Sequence, residues 1–139
     1  MTNSSSTPPR PAQKIRNVRF TDLPNYRLPI PGVVSILHRI SGLLMFLFLP
    51  LVLCLFDRSM RSAQAYDAML RFTHGWFMRL VLLGLAWALL HHACAGVRFL
   101  LLDVHIGTER AAARTSSKIV LAVSLALTLV LAFAMFGGS

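Results

Sequence analysis

Acidic residues are scarce in this sequence. Five Asp and Glu face 14 Lys and Arg, and charged residues make up 14% of 139. A soluble domain carries about 25%, so a water-facing surface would be hard to build from this composition. Cysteine is nearly missing too: Cys54 and Cys94 both sit in apolar runs, and neither belongs to a CxxC pair. That excludes a disulfide framework and leaves both to packing. The first 30 residues hold no apolar core of the kind a secretory leader needs, so no cleaved leader is expected. They are rich in Arg and poor in acid, as a mitochondrial presequence would be. However, Pro8, Pro9, Pro11, Pro24, Pro29 and Pro31 oppose the amphipathic helix such a presequence forms.

What is abundant is apolar. Hydrophobic residues make up 55%, and mean hydropathy is +0.63. They are clumped into three uncharged runs, Ile40–Phe56, Leu80–Val97 and Ile119–Phe136, of 17, 18 and 18 residues. Crossing a hydrocarbon core of about 30 Å takes about 20 helical residues, which each run reaches with its flanks. None has the polar face that a buried helix of a soluble protein turns to water. The expected fold is therefore an all-α membrane protein with three transmembrane helices, over about 30–56, 74–103 and 118–136. An extended segment, 1–29, precedes this three-helix anchor of 30–139.

The net charge of +9 is a topology signal rather than a nucleic-acid footprint. Arg10, Lys14, Arg16, Arg19 and Arg27 precede the first run, and Arg98, Arg110, Arg114 and Lys118 lie between the second and third. The other side has Arg58, Arg61, Arg71 and Arg79. By the positive-inside rule the N-terminus is cytoplasmic and the C-terminus outside. No nucleic acid is expected as a partner, and the lipid bilayer is. Phe20, Leu23 and Tyr26 make the N-terminal segment a candidate docking strip. Residues 57–71 read as an exposed loop with room for a short interfacial helix, and 104–117 as a cytoplasmic loop. Pro50 is expected to bend the first helix, and Trp76 to sit in the interfacial belt. The third run has nothing ionisable and reads as plain lipid-facing scaffold.

Polar residues inside such runs are expensive, roughly 2.5–3.5 kcal/mol for an Arg at a helix centre. Two groups stand out. Ser35, His38, Arg39 and Gly42 fall at offsets 0, 3, 4 and 7, one stripe near the start of the first helix. Arg39 in that position either serves a site or snorkels to the headgroups. The second group is His91-His92-Ala93-Cys94-Ala95-Gly96-Val97-Arg98. Gly84, Ala88, His92 and Gly96 recur every four residues, a row that suits close helix packing or a flat cofactor ligated by His92. With no CxxCH, a haem there would be non-covalent and b-type. His91 shares a face with Gly84, Ala88 and Ala95, so helical phase does not choose between the histidines. Antiparallel helices bring Arg39 and Arg98 to the same end, with His92 about 9 Å deeper than Arg98.

Ser35-Ile-Leu-His38-Arg39-Ile-Ser41-Gly42 and His92-x-x-x-Gly96-Val97-Arg98-Phe99-x-x-x-Asp103 together resemble the paired signatures of the cytochrome b556 subunits of succinate dehydrogenase. Tyr26-Arg27-Leu28-Pro29 resembles the lead-in to the first. The likeness covers most of the chain; His91, an extra imidazole before the ligand position, is the departure from it.

The resemblance implies a haem b with His92 as one axial ligand and a second small membrane-anchor subunit supplying the other. It implies attachment to an iron–sulfur subunit and a flavoprotein subunit, in a bacterial inner (cytoplasmic) membrane rather than a mitochondrial one. Ser35 and Arg39 correspond to residues of a site for ubiquinone or another quinone. His38, with Arg39 and Arg98, corresponds to the haem propionate environment. The chain is expected to act as one subunit of a succinate:quinone oxidoreductase, without catalytic activity of its own. An anchor of a fumarate reductase would run the same chemistry backwards. A non-redox membrane scaffold or small transport subunit would use its histidines only as hydrogen-bonding groups between helices.

Overall fold

The structure, a computed structural model, describes residues 28–137. The 1–29 segment lies outside that range apart from Leu28 and Pro29, and with it the docking strip, the Tyr26-Arg27 part of the lead-in and five of the basic residues. Four helices follow in order: α1 (Ile30–Arg61), α2 (Ala63–Thr73), α3 (Trp76–Asp103) and α4 (Arg110–Phe136). Of these, α1, α3 and α4 are long and apolar enough to cross a membrane. α3 packs against both α1 and α4, which meet each other less extensively. The three long helices alternate in direction, His38 and Gly42 of α1 meeting Gly96 and His92 of α3. Arg79 at the start of α3 reaches Met135 at the end of α4, while Arg98 near the end of α3 reaches Ser116 near the start of α4.

Helix ends follow local chemistry more than hydropathy. α1 starts with Pro31 in its first turn, where a missing N–H costs nothing. It continues through Pro50 and past the expected end at residue 56 to Arg61. Asp57 and Arg61, one turn apart, form an exposed ion pair at 2.6 Å, and Arg58 and Arg61 complement the C-terminal dipole. The extended Ser62 then breaks the chain direction, and its Oγ accepts from Ala65 N at 3.1 Å to cap α2. The stretch expected to hold a short helix does hold one, spanning 11 residues. α4 begins at Arg110, eight residues before the expected 118, because Ala111-Ala112-Ala113 favour helix though they carry little hydropathy. This shortens the loop expected over 104–117 to 104–109. α3 closes with His105 at φ 63°, its N–H bonded to Leu102 O at 3.0 Å and that of Ile106 to Leu101 O at 2.9 Å. This is a Schellman turn with histidine where glycine is usual.

Burial is inverted relative to a soluble bundle. Among the described residues the fully enclosed apolar side chains are small (Val34, Ala88, Ala95, Val120), and Ser41, His91, Arg98, Ser117 and Ser124 are buried beside them. Phe46, Phe56, Leu100, Leu129 and Phe133 point outward, each more than 60% exposed. Lipid solvates leucine as well as another leucine does, so close backbone approach and interhelical hydrogen bonds hold such helices together. The expectation of a plain third span holds for the outer face of α4 and fails for its inner one, where Ser117, Val120 and Ser124 pack inward.

Candidate functional site

Adjacent residues on a helix point about 100° apart, and this separates the two histidines. His92 faces α1. Its ring stacks on His38, with centroids 4.0 Å apart and planes 15° from parallel. Its Nδ1 lies 3.1 Å from the His38 carbonyl oxygen and 3.3 Å from Ser41 Oγ. Ser41 in turn donates to that same carbonyl at 2.8 Å. Phe99 meets His38 edge-on at 5.1 Å. Gly42 lies directly beneath the His92 ring: a Cβ there would come within 2.9 Å of Cε1. Gly96 leaves similar room for His38, whose Nε2 would be 3.7 Å from a Cβ at that position. Both rings are only partly buried, and among the described residues no hydrogen bond reaches the Nε2 of His92.

His91 faces the other way. It is fully buried, with Nδ1 3.3 Å from Ser124 Oγ on α4 and its ring stacked on Trp87 at 5.5 Å. Its Nε2 is buried and has no partner of full hydrogen-bond geometry among the described residues, with the Val34 backbone carbonyl of α1 facing the ring. Arg98, two turns on, continues this seam at 5% exposure. It donates from Nε to Ser116 Oγ at 3.0 Å and from Nη2 to Ala113 O at 3.4 Å, and its guanidinium lies 5.4 Å from the Phe99 ring centre.

The first motif is split by the same geometry. His38 is inside the α1–α3 seam, Ser35 is partly buried, and Arg39 is exposed. Neither Ser35 nor Arg39 has a hydrogen-bond partner among the described residues. Arg98, at the same end of the bundle as Arg39, hydrogen-bonds to Ser116 and Ala113 on α4. Gly84 does not belong to a packing row, since it is exposed and a Cβ there would meet nothing. Two apolar grooves, of about 670 and 600 Å³, lie between α1 and α2 and along the outer side of α3 and α4. Neither is lined by His38, His91 or His92. Sequence reasoning passed over Ser41, Ser116 and Ser124. Ser41 stands three residues after His38, on its face of the helix, which was a usable signal. The α4 serines gave only a weak one, Ser117 and Ser124 seven apart around Val120.

Residues 11–131 match the family described as succinate dehydrogenase/fumarate reductase transmembrane subunit. The chain belongs to that family. The "Succinate dehydrogenase cytochrome b556 subunit" of Coxiella burnetii is 34% identical over 105 residues, covering 74% of this chain and 83% of the relative. That of Paracoccus denitrificans is 30% identical over 111 residues, 80% and 85% of the two chains. The Rickettsia felis subunit is 29% identical over 126 residues, 86% and 94%. The expectation of a transmembrane subunit of this family is thus met, and both motifs lie at one end of its helix bundle.

Proposed function

We propose that this chain is the haem-b-binding membrane anchor of a bacterial succinate:quinone oxidoreductase, with His92 as one axial ligand. The observation that carries the assignment is the contrast between the two rings. His92 is partly open and has an Nε2 that no described residue engages, whereas His91 is sealed among Val34, Trp87 and Ser124. A broad macrocycle can approach the first without unpacking the bundle and cannot approach the second. The donor chemistry fits, since a neutral imidazole nitrogen is the usual ligand of a b-type iron. When bound, the haem supplies one-electron chemistry near the quinone. The partner anchor would supply the second ligand, and the iron–sulfur and flavoprotein subunits would supply the electrons.

Basic residues on the N-terminal side orient this end toward the cytoplasm. Ser35 and Arg39 then stand at the cytoplasmic end of α1 with their polar groups free for a quinone. Ser35 hydrogen-bonds one carbonyl, and Arg39 stabilises the negative charge that builds on reduction. With Ser116 and Ala113 O already holding Arg98, Arg39 is the cation better placed to meet a mobile ligand. The relatives' names favour succinate oxidation as the working direction.

The deciding experiment is the dithionite-reduced spectrum of the assembled complex. His92→Leu is expected to remove the b-type band and His91→Leu to keep it; the reverse pattern overturns the assignment. In the same preparations Arg39→Leu should lower quinone reduction about tenfold or more, and Ser35→Ala by less, because a hydrogen bond to a charged group is worth about 1.5–3 kcal/mol and a neutral one about 0.5–1.5. Succinate oxidation with a soluble acceptor should stay near normal. Full quinone activity in an assembled Arg39→Leu complex removes Arg39 from the site.

A further inference from the structure

We propose that Ser41 and the backbone carbonyl of His38 fix the tautomer and ring plane of His92, so that α1 aims a nitrogen carried by α3. The inference deepens the reading of His92 as axial ligand and rests on it. A carbonyl oxygen only accepts hydrogen bonds, so the Nδ1 that lies 3.1 Å from His38 O must carry the hydrogen. Ser41 gives its own hydrogen to that carbonyl at 2.8 Å and therefore turns lone pairs toward Nδ1, 3.3 Å away. Both neighbours of Nδ1 are acceptors. A neutral imidazole has a single N–H, which leaves the lone pair on Nε2, the nitrogen an iron requires. Rotating the ring by half a turn would set a C–H against both oxygens.

The plane is held as tightly as the proton. His38 stacks over one face within 15° of parallel, and the edge at Cε1 rests over Gly42, where a methyl group would come within 2.9 Å. Ser41 is fully buried, so its hydroxyl is committed to this arrangement rather than shared with headgroups. Ligating histidines commonly donate their second nitrogen to a carbonyl or a carboxylate, which fixes orientation and raises basicity. Here that acceptor comes from a different helix, so the ligand's aim depends on the α1–α3 seam. Ser41 is a positioning residue with no contact to substrate.

The test compares Ser41→Ala and Ser41→Thr in the assembled complex, reading haem per complex and the largest g-value of the oxidised low-spin haem by EPR, which reports the mutual orientation of the axial imidazole planes. Ser41→Ala is expected to shift or broaden that g-value or to lose part of the haem. Ser41→Thr, which keeps the hydroxyl, is expected to restore the native signal. A native signal and full haem in Ser41→Ala overturn the inference while leaving His92 as ligand. Equal disturbance in both variants also overturns it, because the hydroxyl is then not what matters. A full b-type spectrum in His92→Leu instead locates the failure in the ligand assignment.

Discussion

Two seams run along α3, one against α1 and one against α4, and they use similar residues to opposite ends. Each has a histidine paired with a serine across the interface: His92 with Ser41, His91 with Ser124. On the α4 side the ring is enclosed and one nitrogen has no partner of full hydrogen-bond geometry among the described residues. On the α1 side a glycine opens space under the ring, and the ring stays partly exposed. A buried imidazole holds helices together; one held at Nδ1 and open at Nε2 can also be used. The difference comes from the neighbour each ring faces, and one step along the helix decides that.

The sharpest way to break this comparison, beyond the two histidine variants, is Gly42→Ala. Its new methyl meets the His92 ring, and overpacking of this kind costs about 1–3 kcal/mol. The complex should lose haem and unfold at lower temperature, whereas Gly84→Ala, where a Cβ meets nothing, should leave both unchanged. Spectra and thermal denaturation in detergent report the pair.

Ser124→Ala addresses the other seam. It removes the hydrogen bond between His91 Nδ1 and α4, and interhelical hydrogen bonds in membranes are worth about 0.6–2 kcal/mol. A modest drop in melting temperature with an intact haem spectrum is expected. His91→Leu should be close to neutral in stability, since it exchanges a buried, incompletely hydrogen-bonded imidazole for an apolar side chain and Ser124 still donates to Leu121 O at 3.2 Å. A larger loss of haem than of stability in Ser124→Ala would mean the two seams are not separate.

The smallest effect is expected outside both seams. His105 holds a left-handed backbone at φ 63°, a conformation costly to residues with a Cβ. His105→Gly should stabilise the α3–α4 connection by about 0.5–1 kcal/mol, raising the melting temperature slightly with the spectrum unchanged.

Much of this was legible in the residues. Runs of 17 and 18 apolar residues announced three spans, and the Ser35–Gly42 and His92–Asp103 signatures pointed to the family. Helix ends were not legible, because hydropathy stops where charge starts while the helix does not: Asp57 with Arg61 extends α1, and Ala111–Ala113 starts α4 early. The choice between His91 and His92 was out of reach for a different reason. Periodicity places both on the inner half of α3, and only the position of α4 shows which one it covers. Arg98 illustrates the same blindness, since its distance along the helix from His92 said nothing about Ser116.

The bonds from Arg98 to Ser116 and from Arg79 to Met135 O lie at opposite ends of the α3–α4 pair. Two latches so far apart lock the register of this hairpin. A slide of one helical turn, about 5.4 Å, would have to release both guanidinium groups at once inside or beside the membrane. Among the described residues the side-chain hydrogen bonds between α1 and α3 sit near one end of α1, at His38 and Ser41. The hairpin's register is therefore held by polar contacts at both ends, whereas α1 is fixed by polar contacts only at the level of His38 and Ser41, and apolar packing holds the rest of its length.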